Sequence, residues 1–121
     1  MHNLEQIRAK NAYAVSVNMQ IKGKQGGQVV KKLPPLIINH GLLAVLAYAL
    51  DSSDGYQTVF DELAKHLADS QIRHLPEKYE KSCVGLLKYL ASEADSKQLK
   101  LCTSEALAWF NYARRLVKRE V

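Results

Sequence analysis

Four cations stand near the end of the chain at helical spacing: Arg114 and Lys118 lie four residues apart, and Arg115 and Arg119 repeat the pattern one position on. Residues three and four apart are neighbours on a helix, so the four form one broad basic surface two turns long. A second cluster, Lys22, Lys24, Lys31 and Lys32, surrounds Gly23, Gly26 and Gly27. The chemistry of both clusters is attraction of polyanions. Each phosphate neutralised releases condensed counterions, and log affinity falls by roughly 0.7–0.9 per decade of salt for each contact. Such contacts position a nucleic-acid backbone without reading its bases. A structural role competes with this one, because cations at a helix C-terminus complement its dipole by about 0.3–1 kcal/mol each. Tyr13, Tyr48, Tyr56, Tyr79, Tyr89 and Tyr112 have faces on which bases stack, but their helical spacing places them in the core or at its rim.

No catalytic set accompanies these cations. Ser and His occur without a nucleophile elbow or a local triad signature. His2, His40, His66 and His74 do not pair four apart around a carboxylate, so the sequence has no HExxH zinc motif. His40 falls in an apolar run and reads as a core or interface histidine. Asp51, Asp54, Asp61, Glu62 and Asp69 gather in one acidic stretch that reads as a solvated face, and Asp61-Glu62 lack the further oxygen ligands of a metal site. Cys83 and Cys102 form no CxxC pair, and each sits among apolar residues as a buried reduced thiol. No cofactor or metal is expected.

The elements that must position the cations are helices. Asn3 is a candidate N-cap with Gln6 as its capping-box partner, opening a helix to about Ile21. Its inner stripe reads Leu4, Ile7, Asn11, Ala14, Asn18 and Ile21, with the two amides either at the edge of the core or hydrogen-bonded to a neighbour. Glycines and mutually repelling lysines predict a flexible loop over about 22–33. Pro35 suits the first turn of an apolar, central helix from Leu36 to Leu50, with Gly41 inside it at a close crossing. Asp51 to Gly55 form a turn that caps a helix with Tyr56, Val59, Phe60, Leu63 and Leu67 turned inward. A fourth helix is expected from Pro76. A last one, capped by Ser96, turns Leu99, Cys102, Ala106, Trp109, Phe110, Ala113 and Leu116 inward. The fold class is all-α: a compact bundle of about five to six helices in one domain spanning 1–121.

The 121 residues carry a formal charge of +5, with 47% apolar and 24% charged side chains, an ordinary globular balance. Residues 1–50 hold six basic and one acidic side chain, residues 51–72 one and five, and residues 73–121 ten and six. The beginning and end are therefore basic and the middle acidic. No basic start leads into an apolar signal core, and the run from Leu36 to Leu50 is too short to span a membrane. A cytoplasmic protein is expected.

Three segments carry a resemblance. Leu33-Pro34-Pro35-Leu36-Ile37-Ile38-Asn39-His40-Gly41-Leu42, continuing to Leu46-Ala47-Tyr48, resembles the Leu-Pro-x-Leu-Ile-x-x-x-Gly-Leu…Leu-Ala-aromatic signature of the small subunit of type III-B CRISPR (Cmr) effector complexes. Arg8-Ala9-Lys10-Asn11-Ala12 is similar to that family's Arg-Ala-x-x-Ala opening. Glu105-Ala106-Leu107-Ala108-Trp109-Phe110, leading to Ala113-Arg114-Arg115, resembles its closing Glu-Ala-Leu helix with a tryptophan and a basic pair.

The resemblance implies a helical, non-catalytic subunit present in several copies. Copies would stack beside the backbone filament that holds the CRISPR RNA and form one wall of the groove where target RNA pairs with the guide. They would touch RNA phosphates without sequence preference, while target cleavage belongs to the backbone subunit. Expected partners are CRISPR RNA and target RNA, the backbone filament subunit, the large polymerase-like subunit and further copies of the chain, with no membrane. Arg114 and Arg115 match the family's basic pair. Lys118, Arg119, Lys22, Lys24, Lys31 and Lys32 rest on charge placement alone. The alternatives are the small subunit of a related type III-A or type I complex, and a helical protein–protein adaptor without RNA contact.

Overall fold

The structure, a computed structural model, describes residues 3–17, 24–51 and 55–116, with backbone alone for 16–17 and 24–29. Six helices follow one another: α1 (Leu4–Val17), α2 (Lys24–His40), α3 (Leu42–Asp51), α4 (Tyr56–Leu67), α5 (Cys83–Ser92) and α6 (Ser96–Leu116). No strand occurs among the described residues, and the all-α expectation holds.

Asn3 and Gln6 close the expected capping box on α1: Gln6 N donates to Asn3 Oδ1 at 2.9 Å, and Asn3 N to Gln6 Oε1 at 3.0 Å. The inner face differs from the sequence stripe. Ile7, Ala12 and Val15 are buried, whereas Leu4 and Ala14 are exposed. Asn18 and Ile21 lie outside the described residues.

The expected loop is instead a helix from Lys24 onward, and both Pro34 and Pro35 stand inside it. Val30, Leu33 and Ile37 explain this. Spaced i, i+3 and i+7, they are fully or almost fully buried, and each such burial contributes about 1.5–3 kcal/mol. Together these burials offset a cost of the same order, about 1 kcal/mol for each of the two glycines and about 3 for each of the two prolines in a helix interior. Gly41 does not sit within a continuous helix over 36–50. It adopts φ +88°, the left-handed region that glycine enters freely, and separates α2 from α3. Its N–H donates to Ile37 O at 2.8 Å, closing α2, and its carbonyl accepts from Val45 N at 3.2 Å, opening α3.

The central helix is α4 rather than 36–50, where Ile38, Ala44, Ala47 and Tyr48 are exposed. In α4 the predicted Tyr56, Val59, Phe60, Leu63 and Leu67 are all buried, together with Ala64, Glu62 and His66. Gly55, at φ +87°, precedes it without a side-chain cap. The chain then runs irregularly to residue 82, so Pro76 starts no helix. Ser82 caps α5 by accepting from Gly85 N at 3.0 Å, and Asp61 of α4 accepts from Cys83 N at 2.7 Å. Across the core, Phe110 meets Phe60 and Trp109 edge-on, at 6.4 and 5.1 Å between ring centres. Cys83 and Cys102 are buried free thiols, pushed up to about 12 and about 11 by burial.

Candidate nucleic-acid interface

The longest helix, α6, opens on Asp95 rather than the expected Ser96. Gln98 N donates to Asp95 Oδ1 and Asp95 N to Gln98 Oε1, both at 2.8 Å, a second capping box. Its inward stripe is the predicted one, with Cys102, Ala106, Trp109, Phe110 and Ala113 buried. Glu105 is buried with them and fixes the rotation of the helix. Arg8 of α1 grips it twice, Nε to Oε2 at 2.7 Å and Nη2 to Oε1 at 2.8 Å. His66 Nε2 lies 3.0 Å from Oε2, and the His66 ring stacks on Trp109 with centres 6.0 Å apart. Asn11 completes the set, its Nδ2 at 2.8 Å from His66 Nδ1 and 3.1 Å from Asp69 Oδ2. An amide nitrogen only donates, so Nδ1 accepts and the ring proton sits on Nε2, facing Glu105. Asn11 thus takes the hydrogen-bonded alternative.

With Glu105 turned inward, every exposed charge within Ser96–Leu116 is positive, and the exposed carboxylate of the Asp95 cap lies just before it. Lys97, Lys100, Arg114 and Arg115 are exposed, and none pairs with a described carboxylate. Among the described residues, Arg114 Nη2 reaches only Asn111 Oδ1, at 3.4 Å. The acid of α1, Glu5, is engaged by the Tyr112 hydroxyl at 3.0 Å, a bond that raises the tyrosine's pKa. At 100° per residue, Lys97, Lys100 and Arg115 share one side of the helix, and Lys97 and Arg115 are about 27 Å apart along its axis. Lys97 and Lys100 were not among the sequence candidates. Lys97 stands in the first turn of α6, where the dipole disfavours a cation, and Lys100 lies one turn further on.

The second cluster is described in part. Lys31 and Lys32 are exposed on α2, which packs against α6, and neither forms an ion pair with a described residue. Lys24 opens α2, and only its backbone is described. Lys22, Lys118 and Arg119 lie outside the described residues.

The acidic stretch is less available than a solvated face. Asp61 caps α5, Glu62 is buried and accepts from Lys65 Nζ at 3.0 Å, and Asp69 accepts from Gln71 N at 2.8 Å as well as from Asn11. His40 is exposed at the end of α2, not in the core. Among the described residues, no three His, Cys, Asp or Glu side chains gather as metal ligands, and no helix is long and apolar enough to cross a membrane.

Fold and surface together define a small all-helical protein whose longest helix turns an unpaired cationic face outward. Within that class, the chain matches the family described as CRISPR-associated protein (Cas_Cmr5) over residues 4–120, nearly its whole length, and belongs to it. It is a CRISPR-associated, Cmr-type subunit, as the three motifs implied. Comparison with curated proteins and with solved structures finds no match.

Proposed function

We propose that this chain is a non-catalytic subunit that lines the guide–target groove of a Cmr effector and holds RNA backbone without reading sequence. The observation that carries this reading is the outer face of α6, with four exposed cations and the one carboxylate within Ser96–Leu116, Glu105, turned into the core behind the Asp95 cap. Arg114 and Arg115 are the principal phosphate contacts, joined by Lys97, Lys100 and, outside the described residues, Lys118 and Arg119. Lys31 and Lys32 of α2 form the second patch, with Lys22 and Lys24 before them. The neighbours are CRISPR RNA, target RNA, the backbone and polymerase-like subunits and further copies, assembled in the cytoplasm. A weak patch repeated along a filament gains through effective concentration.

Reversing Arg114 and Arg115 to Glu tests this reading. Affinity for single-stranded RNA falls, and the slope of log K against log salt shrinks by about 1.4 for two lost contacts, while helicity is unchanged. Undiminished affinity and an unchanged slope would remove both residues from the interface. A wild-type chain with no RNA binding and no slope, alone or in the assembled complex, would favour the adaptor.

A further inference from the structure

Two depressions meet where α2 turns into α3. One, of about 540 Å³, is lined by Leu36, His40, Ala44, Val45, Tyr48 and Tyr56. Its size falls within the roughly 300–1,000 Å³ of small-molecule sites. The other, of about 520 Å³, shares His40 and Ala44 with the first and reaches across to α6, where Lys100, Thr103 and Ser104 line it. The first is apolar and carries flat rings. Tyr48 is 54% exposed, His40 is exposed, and Tyr48 meets the buried Tyr56 edge-on at 5.5 Å between centres. That contact braces the Tyr48 ring while leaving much of it in solvent. The second adds an unpaired ammonium, since Lys100 has no described carboxylate partner. On α2, Lys32, Leu36 and His40 follow one another at four-residue steps, so a further cation neighbours the apolar depression.

We propose that this junction seats one nucleotide of a single strand, its base in the apolar depression against Tyr48 and His40 and its phosphate at Lys100. The inference rests on the RNA-contact reading above and adds to it a site for a base, where α6 alone offers only charge. Aromatic side chains accept any base, because every base has a π face. The seat therefore adds affinity without sequence preference. The occupant follows from charge as well as shape: a purely apolar partner would leave Lys100 and Lys32 unanswered, whereas a nucleotide satisfies both parts of the junction.

The test compares a short single-stranded oligoribonucleotide with a fully abasic strand carrying the same number of phosphates. Wild-type chain binds the intact strand on the order of tenfold more tightly. Tyr48→Ala and His40→Ala each reduce affinity for the intact strand toward that of the abasic one and leave the abasic strand unaffected. Both side chains are exposed, and a thermal melt confirms that each variant folds. Lys100→Ala weakens both strands. Equal affinity of wild type for the two strands overturns the base seat while the phosphate reading stands. Failure of wild type to bind either strand overturns both. If Tyr48→Ala instead converts a sedimenting oligomer into monomer with RNA affinity intact, the depression belongs to a second copy and the proposal falls.

Discussion

Burial alone would raise the Glu105 carboxyl, but hydrogen bonds from Arg8 and His66 outweigh it and hold the group down from 4.5 to about 2. A folded-state pKa below the unfolded one means stability that is fully present above about 4.5 and is lost as pH falls toward 2. Asp69 and Glu93 also have lowered pKa values, the first despite its burial, through hydrogen bonds from Gln71 and Asn11, the second through those from Tyr79 and Lys78. The contribution of Glu105 is therefore best read by difference. Arg8→Met leaves a buried carboxylate without its cation, a change of about 3 kcal/mol at neutral pH. Urea melts of wild type and variant should differ by that amount at pH 7, and the gap should close between pH 4.5 and 2 as Glu105 protonates. A gap that does not change with pH would show that Arg8 acts through packing alone. The arrangement also gives two of the three sequence motifs a structural role. Arg8 and Asn11 of the opening motif meet Glu105 of the closing one directly and through His66, so they set how α6 faces the solvent.

Helix boundaries here follow from contacts that local sequence does not announce. A Cβ built on Gly85 in α5 would come within 1.9 Å of the Glu80 carbonyl oxygen, whereas one on Gly41 would meet nothing within 4 Å. Gly85→Ala must therefore displace backbone and should destabilise by about 1–3 kcal/mol or more. Gly41→Ala meets only the left-handed φ penalty, about 1–2 kcal/mol. Denaturant melts that rank the two in the opposite order would show that the 80–82 turn yields easily. The same distinction explains which elements were legible in the sequence. Apolar periodicity located α4 and α6, because Val59, Phe60, Leu63, Cys102, Ala106 and Trp109 bury in the pattern that their spacing gives. The Asn3–Gln6 box was legible because its donors and acceptors are three residues apart. The start of α5 was only half legible: the Ser82 cap is local, but the second acceptor there, for Cys83 N, is Asp61, twenty-two residues upstream. The helix over Lys24–His40 was hidden for a related reason: its glycines and mutually repelling lysines argue locally for a loop and Pro35 for a helix that starts there, whereas burial of Val30, Leu33 and Ile37 against other elements favours one helix throughout. Of the candidate interface, Arg114 and Arg115 were visible as a charge run. Lys97 and Lys100 became visible only once Glu105 was seen to turn inward, leaving no outward acid between Ser96 and Leu116.

At the scale of the whole molecule, the formal charge of +5 is a repulsive load on the folded state, and the structure relieves little of it. Arg8, Lys65 and Lys78 are the lysines and arginines in ion pairs among the described residues. The cations of α6 remain exposed, and one of them, Lys97, stands in the first turn, where the dipole opposes it. Stability and RNA binding therefore make opposite demands on Lys97 and Lys100. Replacing both with Glu should stabilise the chain by about 0.3–1 kcal/mol through Lys97, because a carboxylate in the first turn suits the dipole, and should also ease the net repulsion. The same double variant should bind single-stranded RNA more weakly, with the salt slope reduced by about 1.4. Paired thermal melts and RNA titrations at two salt concentrations measure both quantities on one sample. A higher Tm with weaker binding is the expected result, since it means that the positive face of α6 is kept for a polyanion at the expense of the fold. A higher Tm with unchanged affinity would confine the interface to the Arg114–Arg115 end, and a lower Tm would show that the two lysines support the helix after all.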